Sequence, residues 1–200
     1  QTKPLPVRLA RKDETKEKPR QMKWRDEGCI LRLMPLGEYG LIITWSTAQH
    51  GIVRTAARNA RKPGSDFTGR IDLFHSCELI VSDAKKGDLS TLHAAELQHA
   101  RLPLRSNLLK LRLASYCARL LLATVETGDS TQAWHQLICG ALDYIAESHP
   151  RANILHHFEK RLAQLHGLYS DIVPAHNALA QHFQHLPAGR QELLEELQLH

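Results

Sequence analysis

Five cationic side chains and a single acidic one, Asp66, fall within residues 51–70, where they could contact phosphates. The cations are Arg54, Arg58, Arg61, Lys62 and Arg70. Gly64 and Gly69 lie among them and allow the backbone unusual conformations. Guanidinium and ammonium groups replace the counterions of a nucleic-acid backbone, so this composition predicts polyanion binding. The alternative is a charged rim that only keeps the protein in solution.

Arginines in the predicted strands could add to the polyanion-binding surface. Arg54 and Arg58 are four residues apart, so along one strand their side chains would point to the same face. Arg32, in the first predicted strand, is a further candidate contact. The candidate nucleic-acid-binding cations are therefore these three together with Arg61, Lys62 and Arg70.

Aromatic side chains could add base stacking to these charge contacts. Phe67 lies between Asp66 and Thr68 in the basic segment, and we single it out as the stacking candidate. Most aromatic residues of a small barrel belong to its core, and we expect Trp45 and Phe74 to be buried there. Core packing is also the alternative for Phe67.

Positive charge is concentrated in the first third of the chain. The net charge is +5, but residues 1–70 hold 15 Lys and Arg against 7 Asp and Glu, whereas residues 71–200 hold 11 against 14. This asymmetry predicts a half that faces a polyanion and a second half with another role. With 42% apolar and 24% charged residues, the composition is that of a folded globular protein.

Motifs for catalysis and for metal binding are missing from the sequence. It contains no phosphate-binding Walker loop, no G-x-S-x-G elbow and no acidic cluster suited to two-metal chemistry. There are thirteen histidines, and the clustered ones have neither a cysteine neighbour nor an H-E-x-x-H spacing: His156-His157 and the trio His176, His182 and His185. We therefore expect a protein that is not an enzyme and that needs no metal or cofactor.

The four cysteines predict a reducing compartment. They are Cys29, Cys77, Cys117 and Cys139, which are far apart in sequence and follow no visible signal peptide. We read them as reduced, mostly buried thiols, and expect a cytoplasmic protein. No apolar run is long enough to span a membrane.

Five short apolar segments over about 75 residues predict a small barrel. The segments are residues 27–34, 41–47, 52–57, 71–81 and 90–98, which are rich in β-branched residues and bounded by turn residues. No helical pattern long enough for a β-α-β unit separates them. The oligonucleotide/oligosaccharide-binding fold (OB-fold) is the commonest five-stranded barrel that binds nucleic acid, and an SH3-like barrel is the alternative.

After Pro103 the apolar period becomes helical. Residues 108–125 predict a mostly buried helix that Ser106 or Asn107 caps, and two further helices follow before Gly167. Residues 174–185 and 189–197 are weaker amphipathic segments. The predicted fold class is α+β, with a basic, mobile tail at 1–22, a five-stranded OB-fold barrel at 23–100 and an α-helical domain at 103–200.

Seven short segments make the chain resemble the bacterial recombination protein O family. They are Trp24-Arg25-Asp26-Glu27-Gly28, Pro35-Leu36-Gly37-Glu38, Gly51-Ile52-Val53-Arg54, Ala57-Arg58-Asn59-Ala60-Arg61-Lys62, Phe67-Thr68-Gly69-Arg70, Gly87-Asp88-Leu89 and Ala95-Glu96-Leu97. The resemblance covers residues 23 to about 100. From 103 to 170 it rests mainly on the helical pattern and on Leu165-His166-Gly167-Leu168.

The resemblance implies a recombination mediator. Such proteins have an N-terminal OB-fold and a helical C-terminal domain, bind single- and double-stranded DNA and anneal complementary strands. They cooperate with recombination protein R and single-strand-binding protein to load the RecA recombinase, which implies a nucleoid-associated protein. The acidic, apolar tail of single-strand-binding protein would dock on the helical domain, where Arg112, Arg119 or Arg161 could meet its carboxylates.

One feature of many relatives is missing, and two other functions stay open. The relatives carry a four-cysteine zinc module after the Leu-Gly-Leu-like segment, whereas residues 171–177 contain no cysteine, so no zinc is expected. The residues by themselves also allow a protein adaptor whose charge is incidental, or an RNA-binding barrel.

Overall fold

Five strands close into a barrel in the computed structural model, which describes residues 22–84, 86–127, 129 and 132–199. The strands are β1 (Lys23–Leu36), β2 (Gly40–Thr47), β3 (Gly51–Ala57), β4 (Ser76–Ser82) and β5 (Leu89–His99). Their order around the barrel is β1-β2-β3-β5-β4, with β3 and β5 parallel and the other pairs antiparallel. The predicted OB-fold barrel is confirmed. The tail predicted for residues 1–22 lies outside the described residues except for Met22.

The long strand β1 closes the barrel because it pairs with both of its neighbours. Its first half, from Lys23 to Cys29, pairs with β4, and its second half, from Gly28 to Leu36, pairs with β2. Gly28 stands where the two pairings overlap, and a Cβ there would lie 2.7 Å from Leu79 Cδ1 inside the barrel. A glycine at this position therefore lets β1 curve over the barrel core.

Alternate side chains of the strands fill the barrel interior. Trp45 is completely buried, and its indole N–H donates to Thr55 Oγ1 at 2.8 Å. The other side chains buried in the barrel interior include Ile30, Ile43, Cys77, Leu79, Val81, Leu92 and Ala95. The burial predicted for Trp45 is confirmed, with its one polar atom satisfied.

The fourth strand begins five residues later than its apolar run predicts. The prediction started it at residue 71, but β4 starts at Ser76, and residues 71–75 form a turn. Phe74 there has a positive φ of 67°, which a continuous strand does not allow. Its N–H still donates to Ile30 O at 2.9 Å, and its ring is 2% exposed in the core shared with the helices. The prediction that Phe74 is buried is confirmed, but outside the barrel interior.

The second half of the chain is helical, as predicted. A short 3-10 helix, Leu102–Ser106, leads into α1 (Leu108–Thr124), α2 (Gln132–Glu147), α3 (Ala152–Leu165), α4 (Ala175–His182) and α5 (Arg190–Gln198). Asn107 caps α1 through its side-chain oxygen, which accepts the N–H groups of Leu109 and Lys110. Of the two predicted capping residues, Asn107 fills the role. Between Leu109 and Thr124 the α1 side chains are mostly buried, as the apolar pattern predicts.

Barrel and helices share one apolar core. Cys29, Leu31, Ile52 and Phe74 of the barrel region belong to the same buried cluster as the side chains of α1, α2 and α3. These four side chains face outward from the barrel, so the helices must cover them to keep that surface from water.

Arg101 ties the two parts together with polar bonds. It is 4% exposed and sits after β5 in a left-handed conformation, with φ of 46°. Its Nη1 donates to Phe74 O at 2.9 Å and to Ser76 Oγ at 2.8 Å, and its Nε donates to Asp143 Oδ1 on α2 at 2.6 Å. A single guanidinium thus joins the turn before β4 to α2.

We expect Arg101→Met to lower the free energy of unfolding by about 2–4 kcal/mol, because buried acceptors lose their donor. The matched control is Arg25→Met, which removes an exposed pair with Glu78 at 3.7 Å and should change stability by less than about 1 kcal/mol. Urea unfolding followed by circular dichroism measures both. Equal effects of the two substitutions would contradict the role assigned to Arg101.

Candidate nucleic-acid interface

The basic loop, residues 58–70, leaves the barrel at the end of β3 as a series of tight turns. Backbone N–H groups donate to the carbonyl three residues earlier at Lys62, Ser65, Thr68 and Arg70, each at 3.0 Å. Gly64 and Gly69 both have φ of 75°, a conformation that costs a glycine little. The loop is therefore ordered by its own backbone bonds.

The basic loop corrects one prediction about side-chain direction. Because β3 ends at Ala57, Arg58 lies in the first turn of the loop and does not share a strand with Arg54. Arg58 and Lys62 are both exposed, and no ion pair to either occurs among the described residues. These two cations are therefore the most available ones in the loop.

Arg61 fastens the basic loop to the turn between β1 and β2. Its Nη2 donates to Gly37 O at 3.1 Å and to Glu38 O at 2.7 Å, and its backbone N–H donates to Tyr39 O at 2.8 Å. The same guanidinium that the sequence suggests for DNA binding is thus engaged in holding the loop in place.

Phe67 and Arg70 lie close to the barrel wall. Phe67 is half-buried and packs against the barrel-interior cluster, so part of its ring is covered. Arg70 is exposed, with Nη1 3.4 Å from Ala95 O. Core packing, the alternative reading of Phe67, agrees with its half-buried position, and its role in stacking stays a prediction.

A polar anchor lies two residues beyond the basic loop. Asp72 Oδ2 lies 2.6 Å from Arg105 Nη2 of the 3-10 helix. Partial burial raises the pKa of Asp72, but Arg105 and the N–H of Leu73 outweigh burial and lower it below its ordinary value. The carboxylate is therefore charged near neutral pH and holds the loop against the helical part.

A second cationic surface lies where the barrel meets α1, and we name it the junction groove. Its volume is about 630 Å³. Arg32 and Arg54 both pair with Thr44, from opposite sides, so the two arginines flank it on one face of the sheet. Neighbouring strands are about 4.8 Å apart, which puts the two backbones about 10 Å from each other. Arg119 of α1 lines the same groove.

The charge of the junction groove is partly compensated. Arg54 Nη1 lies 2.9 Å from Asp88 Oδ2, in a pair whose side chains are 37% and 57% exposed. Arg119 places its guanidinium carbon 5.8 Å from the centre of the Tyr116 ring, while Arg32 is exposed. The groove thus combines one paired arginine with two that have no carboxylate partner among the described residues.

The three arginines suggested for partner binding lie on separate surfaces. Arg112 forms an ion pair with Glu196 of α5. Arg119 lines the junction groove. Arg161 lines a different groove of about 740 Å³, between α2 and α3, whose other walls are mainly apolar. We name this second surface the α2–α3 groove; its apolar walls include Leu137, Ala141, Tyr144, Phe158 and Leu165.

The described residues hold neither a cluster of metal ligands nor a membrane-spanning helix. No group of three or more His, Cys, Asp or Glu side chains in them is arranged to hold a metal ion. None of their helices is long and apolar enough to cross a membrane.

Fold and surface together define an OB-fold protein with a cationic loop and a helical domain packed on the barrel. Family models carry the assignment further: residues 22–101 match the N-terminal domain of recombination protein O and residues 105–173 match its C-terminal domain. The chain belongs to the recombination protein O family.

Curated relatives agree with this assignment. The chain is similar to proteins named DNA repair protein RecO from a Cyanothece species (30% identity over 66% of this chain), Thiobacillus denitrificans (32% over 68%) and Gloeobacter violaceus (31% over 80%). The matched regions span 44%, 56% and 58% of those relatives, so the chain covers about half of their length.

We expect Arg61→Ala to destabilise the protein by about 1 kcal/mol, because the carbonyls of Gly37 and Glu38 lose a common donor. Arg58→Ala, which removes a cation of the same loop without such bonds, should stay within about 0.5 kcal/mol of the parent. Thermal unfolding of both variants at equal ionic strength measures the difference. An Arg61→Ala variant as stable as Arg58→Ala would show that the loop does not depend on this anchor.

Proposed function

We propose that this protein is a mediator of DNA repair and homologous recombination that binds single- and double-stranded DNA and anneals complementary strands. In this role it cooperates with recombination protein R and single-strand-binding protein to help load RecA onto covered strands. The observation that carries the proposal is an ordered loop on an OB-fold barrel that exposes Arg58 and Lys62. Membership of the recombination protein O family supports it.

The proposed mechanism is electrostatic and involves no catalysis. Two DNA strands repel each other through their phosphates, and cations that neutralise both strands lower this repulsion until complementary bases can pair. The backbone bonds that order the basic loop hold its cations in place before DNA arrives, so less entropy is lost on binding. The mechanism uses no metal and no cofactor.

The proposed DNA path includes the junction groove. Arg32 and Arg54 lie in a row across β1, β2 and β3, and the basic loop begins four residues after Arg54. Arg119 adds a cation from the helical part to the same groove. In this proposal a strand contacts the loop and then the groove, where phosphate displaces Asp88 from Arg54.

We expect the double substitution Arg58→Glu/Lys62→Glu to weaken single-stranded DNA binding by at least about tenfold and to abolish annealing. Loss of two phosphate contacts should also make the slope of log affinity against log salt shallower by about 1.4. Fluorescence anisotropy with labelled DNA at several salt concentrations measures both effects, and circular dichroism checks the fold.

The matched control is Arg151→Glu/Lys160→Glu, which changes the charge equally on exposed positions of the α3 region. It should bind DNA nearly as well as the parent, with the parent's salt slope. Unchanged DNA affinity in the loop variant would reject the assignment. Parallel titrations with RNA separate the other functions: an adaptor binds neither nucleic acid well, and an RNA-binding barrel prefers RNA.

For the tail of single-strand-binding protein, we propose the α2–α3 groove. An acidic, apolar peptide needs an apolar surface beside a cation, and this groove combines Leu137, Tyr144 and Leu165 with Arg161. Tyr144 is 59% exposed and Leu165 is 37% exposed, so these large side chains are accessible to a partner. Arg112 is less suited because Glu196 already neutralises it.

We expect Arg161→Glu to weaken binding of a peptide with the sequence of that tail by at least about tenfold, because a cation is replaced by a repelling carboxylate. Arg112→Ala and Arg119→Ala are the controls and should change the affinity less than about twofold. Anisotropy of the labelled peptide measures all three. A larger effect of either control would move the docking surface away from the α2–α3 groove.

A further inference from the structure

The face of α2 that meets the barrel carries three polar side chains at four-residue spacing: His135, Cys139 and Asp143. That spacing places them on one side of a helix. Asp143 binds Arg101, and His135 approaches Ser46 of β2. Cys139 lies between them, opposite Cys29 of β1. Cys29 is paired with Ser46, the residue that His135 approaches, and its Sγ lies 3.8 Å from Nη1 of the same Arg101 that binds Asp143. Two thiols from distant parts of the sequence thus meet at the barrel–helix contact.

The neighbours of His135 determine which of its ring nitrogens can accept a proton from the Cys139 thiol. His135 Nδ1 lies 2.8 Å from Ser46 O. A carbonyl only accepts, so Nδ1 carries the hydrogen and Nε2 of the neutral ring is left as an acceptor. Cys139 Sγ lies 3.6 Å from that Nε2. His135 is therefore placed to take the proton of the Cys139 thiol.

The two sulfurs differ in chemical character. The neighbouring Cys29 thiol lowers the pKa of Cys139; burial opposes this effect, while His135 and Arg101 add to it. The same contact and complete burial raise the pKa of Cys29. Cys139 is therefore the thiolate and nucleophile of the pair, and Cys29 stays protonated beside it.

Exposure also distinguishes Cys139 from the other cysteines. It is half-buried, whereas Cys29, Cys77 and Cys117 are buried. Burial raises the pKa of Cys77 to about 11 and raises that of Cys117 as well. Asp143, one helical turn from Cys139, has a side chain that is 41% exposed, so small solutes can approach this end of the contact. A low thiol pKa, access and a neighbouring thiol are the features of redox-sensitive cysteines.

We propose that Cys139 and Cys29 form a peroxide-reactive pair in which Cys139 is oxidised first and Cys29 resolves it into a disulfide. The Cys139 thiolate attacks hydrogen peroxide and breaks the O–O bond, which forms a sulfenic acid and releases hydroxide; the proton held by His135 converts this to water. The Cys29 thiol then attacks the sulfenic sulfur, the S–O bond breaks and a second water leaves. Two thiols lose two electrons, and one peroxide becomes two waters.

This inference does not depend on DNA binding, because none of the residues involved belongs to the basic loop or lines the junction groove. The product would join β1 to α2 and cross-link the barrel to the helical part. A purely structural role for the thiol contact is the alternative, and it predicts no selective reactivity at Cys139.

The test treats the reduced 200-residue chain with a small excess of hydrogen peroxide and analyses it by intact mass and peptide mapping after alkylation. The expected product has lost two hydrogens and contains one Cys29–Cys139 disulfide within a single molecule. At pH 6.5 an ordinary thiol is only about 1% ionised, so Cys139 should react with iodoacetamide at least about tenfold faster than Cys77.

Variants make the order of the steps testable. In Cys29→Ser the reaction should stop at a sulfenic acid on Cys139, which dimedone traps. Cys139→Ser should abolish the disulfide, whereas Cys77→Ala, the matched control, should leave its formation unchanged. Equal alkylation rates of Cys139 and Cys77, a disulfide of another pair, or only intermolecular disulfides would overturn the proposal.

Discussion

The contact between the barrel and α1 and α2 is the constraint on which the rest of the molecule depends. Cys29, Leu31 and Ile52 point outward from the barrel yet are 0–5% exposed, so they are stable only while helices cover them. The helices α1 and α2 therefore pack against the sheet, and Arg119 of α1 lies beside Arg32 and Arg54. Apolar contacts alone do not fix the orientation of α2 on the barrel. Arg101 restricts it, because a planar guanidinium can bind Phe74, Ser76 and Asp143 together in few arrangements.

The cations of the barrel surface divide into those that hold structure and those that remain available. Arg61 is bound to two carbonyls of the β1–β2 turn, and Arg54 is paired with Asp88. Arg58 and Lys62 extend from turns that the backbone itself orders. A cationic loop repels itself, and anchoring one of its arginines offsets part of that cost. The sequence shows five cations of similar type, whereas the structure shows that they have different neighbours.

Much of the fold follows from the sequence, while the grouping of the site residues does not. Apolar alternation and helical periodicity locate the five strands and the long helices, since those patterns reflect one buried face. The apolar run at 71–75 misleads, because Phe74 is buried in the shared core from a turn with positive φ. The neighbours of Arg119 and the meeting of Cys29 with Cys139 depend on how α1 and α2 pack against the barrel. No local pattern of residues encodes that packing.

Helix α2 contributes side chains to three different surroundings. Ile138 and Leu142 face the shared core, His135 and Cys139 face the barrel, and Ala141 and Tyr144 face the α2–α3 groove. Because α2 is rigid and closely packed, a shift of the helix against the barrel also moves its wall of the α2–α3 groove. The junction groove and the α2–α3 groove have no lining residue in common, so nucleic acid and an acidic peptide would occupy separate surfaces. The thiol contact at Cys29 and Cys139 lies on the barrel-facing side of that same helix. Chemistry at this contact would therefore act on a helix that also forms one wall of the α2–α3 groove.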